Sequence, residues 1–210
     1  MTARERCKGI ATICLSSYRY AHKDYVTIHL QFLQFILQEG VLYLPSNRCR
    51  ELWTALIANR NACDWDRDTA FDWFTKGISD LEQETQAQLF QKEFLKLDPS
   101  KLTDKGFTCF KAYFESVNVY EHKLKKSGAI YYVEKLELIG MDFLWETCLN
   151  VADVEIADKA MLLLIAMSYS CLSQRFKKAS HASSLNPAVA ARVRCIILVC
   201  TCTCITLRDC

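Results

Sequence analysis

Apolar residues recur along most of this chain at the three- and four-residue intervals of an amphipathic helix, and the polar residues between them mark where each helix ends. From Tyr25, Ile28, Phe32, Phe35 and Ile36 form one stripe, which closes at Gln38-Glu39-Gly40, where glycine suits a left-handed C-cap. Pro45-Ser46-Asn47 opens a second helix with Leu52, Trp53, Leu56 and Ile57 on its inner face. Asp66 can cap a third, carrying Phe71, Phe74 and Ile78. A fourth is expected from about Asp80 to Leu97, with Phe90, Phe94 and Leu97 inward, stopping before Asp98-Pro99. Thr103 or Asp104 starts a fifth with Phe107, Phe110, Phe114 and Val117.

The stretch Asn118 to Lys126 reads as a polar connection. Past Gly128 the apolar pattern resumes at Leu136, Leu138 and Ile139, and Met141, Leu144, Trp145 and Cys148 make the next face. Asp153 caps a last helix whose stripe is Ile156, Ala160, Leu163, Leu164 and Met167. Short-looped amphipathic helices that cannot bury their faces alone stack into a solenoid or an irregular bundle, so the expected class is all-α. The pattern predicts helix over about residues 25–172. It predicts burial for Phe32, Leu52, Trp53, Phe71, Phe74, Phe90, Phe94, Phe110, Phe114, Leu144, Trp145, Leu163 and Leu164.

Composition sharpens this picture in three ways. The chain of 210 residues has only 6 Gly and 3 Pro, too few for the dense turns of a sandwich or barrel. A net charge of +2, and basic runs at 123–126 and 175–178 without interleaved aromatics, give no reason to expect a nucleic-acid partner. No run reaches the roughly 20 apolar residues of a membrane span, so no membrane partner is expected either. Arg4, Arg6 and Lys8 before the apolar run Gly9 to Leu15 faintly imitate a signal peptide, but no Ala-x-Ala site follows.

The 12 cysteines fall into two groups. Cys7, Cys14, Cys49, Cys63, Cys109, Cys148 and Cys171 are scattered among apolar helical positions and read as reduced, buried thiols. That points to a cytoplasmic or nuclear protein. Cys195, Cys200, Cys202, Cys204 and Cys210 crowd the end. Cys200, Cys202 and Cys204 would share one face of a strand, but a zinc tetrahedron wants a second ligand pair.

Other chemistry fails on inspection. Asp64, Asp66 and Asp68 copy positions 1, 3 and 5 of a calcium loop, yet Thr69 stands where Gly belongs and Thr75 where the bidentate Glu belongs. They read better as carboxylates at the start of a helix. A cysteine nucleophile needs a His beside it, and the chain offers His22, His29, His122 and His181. His29 lies in an apolar stripe, as a core or boundary residue would, and His122 and His181 lie in polar connections. No phosphate-binding glycine loop occurs. We therefore assign no catalytic, cofactor-binding or metal-ligating residue, and expect no cofactor.

Three strings carry a resemblance: Asp66 to Phe74 (DRDTAFDWF), Lys105 to Asn118 (KGFTCFKAYFESVN) and Tyr132 to Trp145 (YVEKLELIGMDFLW). They resemble the helical region of the giant ubiquitin-specific proteases of the fat-facets type, with cover from about Val26 to Lys178. The resemblance implies an armadillo-like α-solenoid, a non-catalytic part of a larger deubiquitinating cysteine protease. Its expected partners are proteins: ubiquitinated substrates or adaptors, and the catalytic domain of the parent chain. That family's catalytic Cys and His boxes have no match here, so no catalytic residue carries over. The alternative is a free-standing armadillo-like adaptor without a protease. In domain terms, residues 1–24 stay unassigned and 25–180 form the helical domain. Residues 181–210 are an atypical Cys-rich tail, read as an artefact of the gene model, with a lipid-modified or zinc-bound tail as the alternative.

Overall fold

The computed structural model describes residues 21–128 and 130–170. The expectations for His181 and for the Cys-rich tail lie outside them. Seven α-helices and one short hairpin make up the described chain: α1 (His22–Glu39), α2 (Ser46–Trp53), α3 (Asp64–Lys76), α4 (Gln83–Lys92), α5 (Asp104–Tyr120), β1 (Leu124–Ser127), β2 (Ile130–Val133), α6 (Met141–Asn150) and α7 (Val154–Ile165). Helix α5 packs against both α3 and α4, α1 lies on α3, α2 on α4, and α6 pairs with α7. Each helix is thus covered by near neighbours in the chain, as in an armadillo-like stack.

The helix starts follow side-chain chemistry. Thr103 Oγ1 accepts from the Gly106 amide at 3.1 Å and donates to Asp68 Oδ1 at 2.6 Å, so one hydroxyl caps α5 and ties it to α3. Asp153 Oδ1 accepts from the amides of Glu155 and Ile156 and starts α7. At α3 the cap differs from expectation. Cys63, not Asp66, is the N-cap residue, and Asp66 sits one turn in, its Oδ2 accepting from the Cys63 amide at 3.3 Å. That is the reach-back half of a capping box.

The end of α1 also departs from the glycine rule. Gly40 is right-handed (φ −82°), and the left-handed residue is Val41 (φ 49°). The Leu42 amide donates to Leu37 O at 2.9 Å and the Val41 amide to Gln38 O at 3.3 Å, a Schellman closure displaced by one residue. A β-branched residue in this conformation is strained by about 1–2 kcal/mol, and Val41 is exposed, so little packing offsets it. Val41→Gly is therefore expected to stabilise the chain by about 1 kcal/mol, read as a higher denaturation midpoint in urea. An unchanged or lowered midpoint would show that Val41 relaxes in solution.

Two expected helices are broken. The fourth is a 3₁₀ turn (Ile78–Asp80), then α4, then another 3₁₀ turn (Phe94–Lys96), separated at Glu93 (φ −121°, ψ −50°). Helix α2 widens into a π-type turn at Thr54–Ala58, which keeps Ile57 on the inner side. The connection after α5 is not merely polar. It forms an antiparallel hairpin in which Leu124 pairs with Val133 and Ser127 with Ile130. Only Leu124 and Val133 are buried, which anchors the hairpin base against α5.

An aromatic cluster fills the centre. Phe94 is fully buried, with the rings of Trp53, Phe71, Phe90, Phe110 and Phe143 all 5.2–5.9 Å from it, centroid to centroid. Such tilted and edge-on pairs add to the burial energy. Among the residues expected inside, Trp53, Phe71, Phe74, Phe90, Phe94, Phe110, Phe114, Leu144, Leu163 and Leu164 are buried. Leu52 and Trp145 are only half-buried, at the margin of the core. Phe32 is 61% exposed, contrary to expectation. The buried side of α1 is instead Val26, Leu30 and Leu37, fixed by the Trp73 indole donating to Leu30 O at 2.9 Å.

Candidate interaction surface

The chemistry-bearing side chains are dispersed by the fold. Asp64 pairs with Arg67, Asp66 Oδ1 lies 2.8 Å from His22 Nε2, and Asp68 accepts from Thr103. The three carboxylates lie within the first turn and a half of α3 rather than on a calcium-type loop, and each meets a different partner. His22 and Asp66 together pin the start of α1 to the start of α3.

Three of the four described thiols are poor nucleophiles. Burial pushes the Cys49 and Cys109 thiols up to about 12 and Cys148 up to about 11. A catalytic cysteine needs the opposite shift, because the thiolate is the reactive form. Cys49, Cys109 and Cys148 are free thiols; Cys49 and Cys109 are fully buried, and Cys63 and Cys148 lie at intermediate depth. His29 is exposed rather than at a core boundary: its Nδ1 lies 2.7 Å from Tyr25 O, and its ring lies 3.9 Å from that of Tyr25. His122 is exposed beside the hairpin with a left-handed φ of 54°. Among the described residues, no group of three His, Cys, Asp or Glu is placed to hold a metal.

What the fold does present is surface. On α1, Ile28, Phe32, Phe35 and Ile36 are 39–61% exposed and lie on the side opposite Val26, Leu30 and Leu37. At the other end Leu149, Val154 and Leu162 of α6 and α7 are about 70% exposed. Contiguous apolar surface of this kind on a helix face is where protein contacts form. Between α3 and the 3₁₀ turns runs a cleft of about 460 Å³, floored by Ile57, Phe71, Leu97 and Leu102. Several of its charges are engaged: Arg67 bonds Ile57 O and Asp64, and Asp98 bonds Ser100 and Lys101. Periodicity in the sequence located the α1 stripe but could not tell that it faces outward.

Comparison with known proteins fits this geometry. The family model described as "UBP24/USP9X/USP9Y ARM repeat" matches residues 2–118. Human ubiquitin carboxyl-terminal hydrolase 24 is 47% identical over 172 residues, covering 82% of this chain and 7% of that protein. Human ubiquitin carboxyl-terminal hydrolase 9Y is 37% identical over 170 residues, 79% of this chain and 6% of its own length. The Drosophila melanogaster protein titled "Probable ubiquitin carboxyl-terminal hydrolase FAF" is 35% identical over 161 residues, 75% of this chain and 6% of its own. The chain therefore spans a small fraction of these relatives. With helices stacked on near neighbours and a family model running from residue 2 to residue 118, the chain belongs to the UBP24/USP9X/USP9Y armadillo-repeat family.

Proposed function

We propose that this chain is a non-catalytic scaffold segment of a deubiquitinating cysteine protease. Its helical surface would hold ubiquitinated substrates or adaptor proteins near the parent's catalytic domain. The armadillo-repeat match over residues 2–118 carries this reading. The names of the relatives suggest the parent activity, and the deeply buried thiols of Cys49 and Cys109 support a role other than catalysis. A cytoplasmic or nuclear setting is part of the proposal, supported by the free thiols of Cys49 and Cys109, which pack as small apolar residues.

The test compares two substrates in a full-length protease carrying this segment, with the segment intact or replaced by a linker of similar span. Cleavage of a ubiquitin–fluorophore conjugate should stay within about twofold, while cleavage of a ubiquitinated protein substrate should fall about tenfold or more, since tethering raises local concentration. Equal cleavage of both substrates with and without the segment would remove the scaffold role. The isolated chain, for its part, should not react with a ubiquitin-based suicide probe. Labelling that needs folded protein and intact ubiquitin, and that one Cys→Ala change abolishes, would overturn the non-catalytic reading.

A further inference from the structure

Helices α2 and α4 face each other across a pocket of about 180 Å³. Ser46, Cys49 and Arg50 line one wall at the three- and four-residue spacing of a single helix face, and Thr85, Leu89 and Lys92 line the other in the same way. Cys49 and Leu89 are buried at the floor, while Arg50 and Lys92 are exposed at the mouth. The first turn of α2 enters this pocket through Ser46 and Asn47; Pro45 before them gives no side-chain cap, and the turn holds no carboxylate. Its free amides and the helix dipole favour an anion. A second feature inside the pocket points the same way. Thr85 is only 6% exposed, and its hydroxyl has no hydrogen-bond partner among the described residues. A buried hydroxyl left in that state costs free energy until a ligand atom meets it. The floor adds no negative charge, because burial pushes the Cys49 thiol up to about 12. At the mouth Glu93 stands beside Arg50 and Lys92, and neither cation has an ion pair among the described residues.

We propose that this pocket binds the phosphate monoester of a phosphorylated peptide. Its oxygens would accept from the α2 amides and the Thr85 hydroxyl, and its charge would meet Arg50 and Lys92. The volume suits a phosphoryl group with the short side chain that carries it, and it lies below the roughly 300 Å³ at which pockets for drug-sized ligands begin. The lining offers no aromatic ring on which a nucleobase would stack. Two cations beside a carboxylate are too few to hold an anionic bilayer, which takes a cluster of basic residues. Capture of a phosphorylated side chain by Arg and a helix N-terminus is a recurring mode of peptide recognition. The assignment deepens the scaffold reading by naming a partner class, phosphoproteins. It is measured without any protease, so its failure would leave the segment-replacement test untouched.

Nuclear magnetic resonance titration of the full chain with N-acetyl-phosphoserine methylamide, at constant ionic strength, tests it. The amide signals of Ser46, Asn47 and Thr85 should shift saturably, with half-saturation at about 1 mM or below. Arg50→Ala and Lys92→Ala should each weaken binding about fivefold or more, while Glu93→Gln should tighten it about two- to fivefold by removing a repelling charge. Thr85→Val should weaken it about threefold or more, since only the hydroxyl is lost. Arg50 and Lys92 are exposed, so their variants keep the test decisive if the Thr85 change disturbs the fold. Absence of saturable shifts at these amides up to about 20 mM would overturn the proposal, as would binding that Arg50→Ala and Lys92→Ala leave unchanged. Equal half-saturation with inorganic phosphate would mean a bare anion site and would overturn the peptide assignment.

Discussion

Phe94→Ala is expected to destabilise the chain by about 4–5 kcal/mol, at the top of the range for a buried aromatic truncated to alanine. Phe94 is fully buried on a 3₁₀ turn whose backbone is fixed by its neighbours, so the wall of the cavity cannot follow the missing ring. It also touches five other aromatic rings, drawn from α2, α3, α4, α5 and α6. One change therefore weakens the joint of five helices. At about 2–4 °C per kcal/mol for a chain of this size, the melting temperature should drop by roughly 10–20 °C. Trp145→Ala, at a half-buried margin position, should cost visibly less in the same assay. Equal losses at the two positions would mean that the core does not centre on Phe94.

Gly140→Ala should be the second large loss, about 2–4 kcal/mol, from two causes acting at one atom. Gly140 has a φ of +92°, which L side chains rarely adopt, and a Cβ there would sit 2.9 Å from Phe90 Cζ and 3.3 Å from Phe114 Cδ2. Neither ring can withdraw, since both are fully buried. The residue before it is equally constrained. Asn118, itself fully buried, accepts from the Ile139 amide at 2.8 Å and donates to Ile139 O at 3.0 Å and Phe114 O at 2.8 Å. Urea denaturation of Gly140→Ala with a midpoint like that of the unaltered chain would show that the α5–α6 junction has slack. The string Leu136 to Trp145 that carried the family resemblance thus has a physical basis at its centre. Ile139 is held by its backbone, and Gly140 lets Phe90 approach.

Helix existence was legible because the inward residues of α3, α5 and α7 repeat at one period with polar residues between them. Which side of a helix is covered was not legible on α1. Val26, Leu30 and Leu37 form one apolar row and Ile28, Phe32, Phe35 and Ile36 another, and the second is bulkier. Periodicity finds both rows, while burial depends on which neighbour arrives. A similar ambiguity on α6 left Trp145, expected inside, at the margin of the core, while Phe143, not on the expected face, is buried. The hairpin escaped because β1 is Leu-Lys-Lys-Ser, with a single buried residue in four positions. The signal available was Ser127-Gly128 between that run and Ile-Tyr-Tyr-Val, a turn dipeptide before a β-rich stretch. The helix break at Glu93 left no sequence mark, as Gln83 to Lys96 are mostly good helix formers with no Gly or Pro among them. Of the candidate surface, only the α1 stripe was visible beforehand, and it was read as core.

The hairpin is tied to its flanking helices at its base. The Lys123 amide donates to Asn118 O at 2.8 Å, the amides of Glu134 and Lys135 donate to Lys123 O, and Asn118 grips Ile139 beyond. These bonds hold α5 and α6 in place whatever the excursion between them does, and Gly128 at its tip has open space where a Cβ would stand. Extra length inserted there costs only loop-closure entropy, about 0.6 kcal/mol for each doubling. Related chains can accordingly lengthen, shorten or decorate this excursion without moving the helices it joins, so evolutionary variation in the stack is cheapest at this point.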